Sequence, residues 1–163
     1  MYYFSYGSNM SLRRLRARTP SAKCIDTGVL EEHQLVFHKS GRDNSAKCDA
    51  HHTGDSEHFV IGVLYEIHPD EKPALDKAEG LGSGYEIKEV LIKLDNGSLV
   101  EAFTYYAIHI DASLKPFDWY KEHVIVGAKE NALPKDYIEA IQSIEIIQDN
   151  DTERRERELS IYL

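Results

Sequence analysis

The chain has 163 residues and carries a formal net charge of −9 at pH 7. A net negative charge argues against nucleic acid or an anionic membrane as the main partner, because both require a basic face. The length favours one domain, residues 1–163, and no apolar run approaches the roughly 20 residues of a membrane span.

The first feature in chain order is a predicted strand over residues 2–6 that runs into the turn Tyr6-Gly7-Ser8-Asn9. A predicted helix over 11–18 follows. Glycine lets a ligand approach the main chain closely, and Ser and Asn add short hydrogen-bonding groups. Because the start of a helix offers free backbone N–H groups, this turn predicts a pocket for a carboxylate or a phosphate.

The middle of the chain is the least regular part. Residues 21–28 are predicted to be a connection, and strand character returns at 29–30 and 34–37. The polar residues 38–58 are predicted to form a long loop, or a loop around one short strand near 46–50. A β-branched and aromatic run over 59–67 is then predicted to be a buried strand.

The second half alternates helices with a strong hairpin signal. Strands are predicted over 85–94 and 99–108, joined by the turn Asp95-Asn96-Gly97. Helices are predicted over three segments, 69–78, 119–126 and 135–144. A charged tail from about residue 149 is predicted to be a helix or frayed. Paired strands with separate helices predict an α+β fold with a small mixed or antiparallel sheet.

Four ordered segments resemble the γ-glutamylcyclotransferase family. They are Phe4-Ser5-Tyr6-Gly7-Ser8-Asn9-Met10, Gly62-Val63-Leu64-Tyr65, Leu75-Asp76-Lys77-Ala78-Glu79-Gly80 with Gly84-Tyr85, and Tyr120 with Gly127 to Pro134. Together they span nearly the whole chain. The resemblance implies a closed or nearly closed small β-barrel flanked by helices, and a homodimer is possible.

Glu79 is the candidate catalytic acid. It ends a predicted helix just before Gly80, among apolar neighbours, and partial burial would raise its pKa toward neutrality. By composition alone it would be one of many surface acids. The resemblance to the catalytic segment of the family instead implies that Glu79 is the general acid and base.

The resemblance also implies a reaction without metal or organic cofactor. A γ-glutamyl substrate places its α-carboxylate on the turn, its α-amine attacks its own γ-carbonyl, and 5-oxoproline and a free amine or amino acid leave. The substrate-binding residues are predicted to be Tyr3, Phe4, Ser5, Tyr6, Gly7, Ser8, Asn9, Tyr85, Tyr105 and Tyr120. The alternative is a non-catalytic module on the same fold that binds a small anion or docks a partner, for which Glu79 is not needed.

A pair of adjacent histidines and a run of alternate glycines could suggest a metal site or a dinucleotide site instead. His51 and His52 are adjacent on an extended segment and should point to opposite faces, so no metal site is predicted. The three alternate glycines at 80, 82 and 84 lack a preceding strand, which argues against a dinucleotide site.

The basic run over 13–18 is interpreted as the solvated side of a helix, with the steering of an anion as the alternative. Lys129 and Glu130 are expected to stabilise the fold rather than contact substrate. No signal peptide is recognised before the polar residues, so a cytoplasmic location and free thiols at Cys24 and Cys48 are expected.

Overall fold

The computed structural model describes residues 1–163, and a closed five-stranded barrel lies at its centre. Seven strands are present: β1 (Tyr2–Ser5), β2 (Lys23–Glu31), β3 (His33–Ser40), β4 (Ala46–His52), β5 (Phe59–Glu66), β6 (Tyr85–Lys93) and β7 (Leu99–Ala107). The barrel order is β1-β5-β2-β6-β7, while β3 and β4 form a separate two-stranded sheet.

The barrel is mixed because β1 pairs antiparallel with β5 and parallel with β7. The remaining barrel pairs, β2 with β5 and with β6, and β6 with β7, are antiparallel. At the predicted hairpin between β6 and β7, Gly97 adopts φ 82°, the left-handed conformation that such a turn requires. The prediction of an α+β fold with a small mixed barrel is therefore confirmed.

The prediction of an uninterrupted polar loop over 38–58 was wrong, because β3 extends to Ser40, while the alternative of one short strand near 46–50 is confirmed as β4. The β3–β4 hairpin occupies this region, and β2 already begins at Lys23 within the predicted connection. The inward residues of β4 include Ala46, Cys48 and Ala50, which are buried but have little strand propensity. Long-range burial, rather than local preference, makes this segment a strand.

Five helices surround the sheets: α1 (Leu12–Arg16), α2 (Lys72–Glu79), α3 (Asp118–Glu130), α4 (Lys135–Gln142) and α5 (Thr152–Leu159). Short 3₁₀ segments precede α1 (Ser8–Met10) and α2 (Pro69–Glu71) and follow α5 (Ser160–Tyr162). The predicted helix over 11–18 is thus shorter than expected. No helix combines the length and the apolar character needed to cross a bilayer.

Helix α3 positions the N-terminal turn against the barrel. A Cβ at Gly127 would lie 2.5 Å from the backbone nitrogen of Ser11 and 2.6 Å from Met10, so only glycine allows this approach. The Asn131 side chain then donates to the backbone oxygen of Met10 at 3.1 Å. The segment around Glu130 therefore stabilises the fold, and Glu130 itself accepts a hydrogen bond from the backbone N–H of Leu12.

Candidate active site

The turn after β1 presents backbone N–H groups and open space together. Ser8 and Asn9 begin a 3₁₀ segment, so their N–H groups have no partner within that helix. A Cβ at Gly7 would lie 3.1 Å from Cys48 Cβ and 3.6 Å from the Tyr120 hydroxyl. Glycine at this position therefore keeps the cavity beside the turn open.

Glu79 is placed by the end of α2. It is the last residue of the helix, and Gly80 follows in the left-handed conformation, φ 67°. The Gly80 N–H bonds back to the carbonyls of Asp76 and Lys77, as in a glycine C-cap. The chain turns sharply there, and the Glu79 side chain faces the turn after β1.

One cavity brings together most of the residues singled out in the sequence. It holds about 290 Å³ of empty space, counting the part open to solvent. Its lining consists of Tyr3, Ser5, Tyr6, Gly7, Ser8, Asn9, Cys48, Glu79, Tyr85, Tyr105 and Tyr120. Phe4 is the exception and does not line the cavity. Because side chains alternate along a strand, Phe4 leaves β1 on the face opposite to Tyr3 and Ser5, where it is fully buried near Gly62.

A chain of hydrogen bonds orients Asn9 toward Glu79. Arg18 Nη1 donates to Asn9 Oδ1 at 2.6 Å, and Asn9 Nδ2 donates to Glu79 Oε1 at 2.7 Å. Since a guanidinium only donates, Arg18 determines which end of the Asn9 amide points at the carboxylate. Asn9 Nδ2 also lies 3.4 Å from the Tyr3 hydroxyl.

The electrostatics of Glu79 are a balance of opposing effects. Burial in the cavity raises the pKa of Glu79 above its ordinary value, because the charged form loses water. The positive charge of Arg18 and the hydrogen bond from Asn9 act in the opposite direction but do not cancel the rise. A carboxylate in this state is suited both to accept and to return a proton.

The tyrosines of the cavity fall into two groups. Tyr6, Tyr85 and Tyr105 each donate at 2.6 Å to a fixed acceptor, which is the Tyr105 carbonyl, the Cys48 carbonyl and Asp76 Oδ1 respectively. Their hydroxyl protons therefore take part in hydrogen bonds within the protein and are not available to a bound substrate.

Tyr3 and Tyr120 belong to the other group. The Tyr120 hydroxyl accepts from the Cys48 backbone N–H at 2.9 Å, and Tyr3 accepts from Asn9. Neither hydroxyl proton has an oxygen acceptor in the protein. Burial raises the pKa of both groups, so both remain protonated donors facing the cavity. Ser5 Oγ, which is buried, also has no hydrogen-bond partner.

Sequence reasoning missed three residues of the site. Cys48 lines the cavity from β4, and burial raises the pKa of its thiol to about 12, so it is a packing group rather than a nucleophile. Asp76 accepts from Tyr105 and is paired with Lys72. The Leu-Asp-x-x-Glu-Gly segment already contained Asp76, whereas nothing local pointed to Cys48.

Arg18 is the third, and it corrects the interpretation of the basic run. Arg13 and Arg16 are exposed as expected, but Arg18 turns inward to Asn9. Arg14 pairs with Glu158 at 2.7 Å. Helix α1 ends at Arg16, so Arg18 no longer follows the helical face on which the solvated interpretation was based.

Two of the histidines, His38 and His51, form a cluster with Asp49 outside the cavity, and these side chains are of the types that bind metal ions. His38, Asp49 and His51 hold ligand atoms within 4.8 Å of one another. His38 Nε2 lies 2.7 Å from Asp49 Oδ2, and the Ala107 N–H donates to the other carboxylate oxygen at 2.9 Å. His52 lies on the opposite side of β4 and contacts the His33 ring, as expected for adjacent residues of a strand.

Comparisons with known proteins agree on one relationship. The AIG2-like family model matches residues 59–141, just over half of the chain. Proteins named γ-glutamylcyclotransferase from Bos taurus and from Homo sapiens are each 31% identical over 150 residues, which is 88% of this chain and 78% of theirs. A solved structure named γ-glutamyl cyclotransferase is similar with a TM-score of 0.85 and 28% identity, covering 98% of both chains.

Proposed function

The chain belongs to the γ-glutamylcyclotransferase family and is an enzyme of that type, and on this premise we propose the substrate, the chemistry and the residues that perform it. The substrate is a small molecule with a γ-linked glutamyl group. The products are 5-oxoproline and the amine or amino acid that was attached to the γ-carbonyl. No cofactor takes part in the proposed reaction.

This proposal rests on one observation, which is that Glu79 and the N-terminal turn line the same cavity. Asn9 belongs to the turn and donates to Glu79 at 2.7 Å, so a group bound on the turn lies beside the carboxylate. The free N–H groups of Ser8 and Asn9 suit the substrate α-carboxylate. The α-ammonium, which is attached to the carbon next to that carboxylate, then faces Glu79 and the unpartnered Ser5 hydroxyl.

Glu79 acts as general base and then as general acid. It removes a proton from the α-ammonium, and the resulting amine attacks the γ-carbonyl carbon of the same molecule. A C–N bond closes the five-membered ring. As the original γ-amide C–N bond breaks, Glu79 returns its proton to the leaving nitrogen. The ring nitrogen, which carries two hydrogens after the attack, gives one of them to the released amine, so that the lactam keeps one hydrogen and the amine leaves as an ammonium. The raised pKa of Glu79 supports both transfers, because a strongly acidic carboxyl would be a poor base.

Negative charge develops on the γ-carbonyl oxygen during the attack. Tyr3 and Tyr120 have the hydroxyl protons in the cavity that are not committed to the protein, and they are our candidates to stabilise this oxygen. Tyr6, Tyr85 and Tyr105 shape the cavity walls through their fixed bonds. The main contribution of the protein is then to hold an extended substrate in a folded, reactive conformation.

A non-catalytic binding module on the same fold is the competing hypothesis. Such a module would need the turn, but it would not need a carboxylate of raised pKa facing the bound group. Ligand binding without turnover, unchanged in a Glu79→Gln variant, is the result that would favour it.

The deciding experiment compares two isomeric dipeptides. γ-Glutamyl-alanine should release 5-oxoproline, whereas α-glutamyl-alanine should not, because attack by its amine on its own peptide carbonyl would close a strained three-membered ring. Product should be identified by chromatography against 5-oxoproline and glutamate standards. Release of glutamate from both dipeptides would show ordinary hydrolysis and would exclude the intramolecular mechanism.

A further inference from the structure

A second cavity adjoins the first at Glu79. It holds about 560 Å³ of empty space, again counting the part open to solvent. Its lining is polar: Lys39, Ser40, Arg42, Lys77, Ala78, Glu79, Gly80, Ser83 and Gly84. Glu79 lines both cavities, so a group that lies at Glu79 is adjacent to both.

Lys39 is the unusual residue of this second cavity. It is only 9% exposed, yet its ammonium makes no salt bridge and no hydrogen bond within the protein; its contact is the face of the Tyr85 ring, 4.8 Å from Nζ to the ring centre. A buried ammonium is costly unless it is paired. Burial accordingly lowers the pKa of Lys39.

The neighbouring strand shows how this protein treats a lysine that only supports the fold. Lys47 is paired with Lys39 across the β3–β4 hairpin. Its ammonium donates to Asp43 at 2.9 Å and to Ser45 at 2.8 Å, and it lies over the Trp119 ring. Lys47 is fully partnered, whereas the Lys39 ammonium has no direct ion pair or hydrogen bond, and the charges of Glu79 and Asp43 act on it only from a longer distance.

The backbone makes room for Lys39. A Cβ at Gly84 would lie 2.8 Å from Lys39 Nζ and 3.0 Å from Cε, so a larger residue there would displace the ammonium from this place. Arg42 and Lys77 lie at the exposed part of the same cavity and add positive charge. The cavity is thus locally basic in a chain of net charge −9.

We propose that Lys39 is a specificity-determining residue that binds the carboxylate on the acceptor half of the substrate, so that this one side chain sets the preference for γ-glutamyl amino acids and peptides over uncharged γ-glutamyl amines. This inference rests on the proposed function, because it places the γ-glutamyl half in the first cavity. The leaving group then occupies the second cavity, where its carboxylate pairs with Lys39. Charge-assisted hydrogen bonds of this kind are among the stronger polar contacts in proteins.

The test uses two substrates that differ only in the carboxylate. γ-Glutamyl-alanine and γ-glutamyl-ethylamide share the γ-amide and the two-carbon chain, and 5-oxoproline release is measured for both. The wild-type enzyme should prefer the dipeptide by at least tenfold in kcat/KM, mainly through KM. Lys39→Gln should reduce that preference at least tenfold, whereas Lys135→Gln, which removes an equally charged but exposed and distant lysine, should keep it.

The ratio of the two substrates isolates the proposed contact. Lys39 also lowers the pKa of Glu79, but an effect through Glu79 changes both substrates alike and cancels in the ratio. Equal use of both substrates by the wild-type enzyme, or an unchanged preference in folded Lys39→Gln, would overturn the role of Lys39 while the cyclisation remains. Release of 5-oxoproline from neither substrate would overturn the proposed function itself, and this inference with it.

Discussion

Two carboxylates of this molecule sit in buried surroundings and behave in opposite ways. Asp149 is 2% exposed and accepts from four donors: Arg154 Nε and Nη2, Trp119 Nε1 and the Asp151 N–H. These bonds hold its pKa well below the usual range, with Arg154 as the main cause. Glu79 has one hydrogen bond from the protein, and burial raises its pKa. A fully paired carboxylate stabilises structure, while a sparsely paired one is available for chemistry.

The same contrast determines how each group affects stability. The raised pKa of Glu79 means that its ionised form is disfavoured in the folded state, so stability falls as pH rises from the unfolded value of about 4.3 through the folded value. The lowered pKa of Asp149 has the reverse effect. Its contribution is present above the unfolded value of about 3.9 and is lost as pH falls toward the folded value.

Replacing Glu79 should have the largest effect on activity. Glu79→Gln keeps the shape and the acceptor for Asn9 but removes proton transfer, so kcat should fall by about 10²- to 10⁴-fold. Above neutral pH the variant should unfold at a temperature equal to or higher than that of the wild type, because the cost of burying the charge is gone. Steady-state kinetics and thermal unfolding measure both effects. Glu101→Gln, an exposed acid on β7, is the control; full activity in Glu79→Gln would remove Glu79 from the mechanism.

The distinction between committed and uncommitted groups extends to the tyrosines. Tyr120→Phe should lower kcat/KM by about 10- to 100-fold, since a hydrogen bond to a charged group is worth about 1.5–3 kcal/mol. Tyr85→Phe loses a bond to the Cys48 carbonyl and Tyr120→Phe loses one from the Cys48 N–H, so both should lower the unfolding temperature by a similar amount, whereas kcat/KM per folded molecule should fall more in Tyr120→Phe. If Tyr85→Phe were instead the more damaging change for kcat in stably folded enzyme, our assignment of the oxyanion donors would be incorrect.

A smaller change is expected from the neighbour that tunes Glu79. Arg18 lowers the pKa of Glu79, so Arg18→Gln should raise that pKa and move the acidic limb of the kcat/KM profile to higher pH. The value of kcat/KM should fall several-fold at the pH values of the acidic limb and change little on the plateau at higher pH. A pH profile checks this, with exposed Arg13→Gln as the control. An acidic limb that stays in place, or moves to lower pH, would contradict the electrostatic effect of Arg18 on Glu79.

The smallest effect on activity is expected at the other carboxylate. Asp149→Asn should lower the unfolding temperature by several degrees, because the Arg154 donors lose their charged acceptor, while kcat per folded molecule stays at the wild-type value. Thermal unfolding measures the change in stability. Steady-state kinetics, corrected for the fraction of folded enzyme, measure kcat separately. Exposed Asp70→Asn is the matched control. A loss of kcat in folded Asp149→Asn would show that this cluster communicates with the active site.

Local chemistry in the sequence was sufficient for the parts of the site that lie within one turn. Glycine at positions 7 and 80 and the acid at the end of α2 follow from short-range preferences, because a glycine C-cap and a strand-to-helix turn are encoded by a few consecutive residues. The Asp95-Asn96-Gly97 turn and its two strands followed for the same reason. The resemblance of four ordered segments added the barrel and the proposed catalytic role of Glu79.

The contacts between distant segments were decided only by the tertiary structure. Cys48 and Lys39 reach the two cavities from the part of the β3–β4 hairpin that was predicted to be a loop or a loop around one short strand, and Arg18 orients Asn9 after α1 has ended. The charged tail becomes α5 because Asp149 and Glu158 find arginine partners at Arg154 and Arg14. Burial and pairing of this kind depend on where the barrel brings each segment, and that determines which carboxylate is neutralised by partners and which is left free to react.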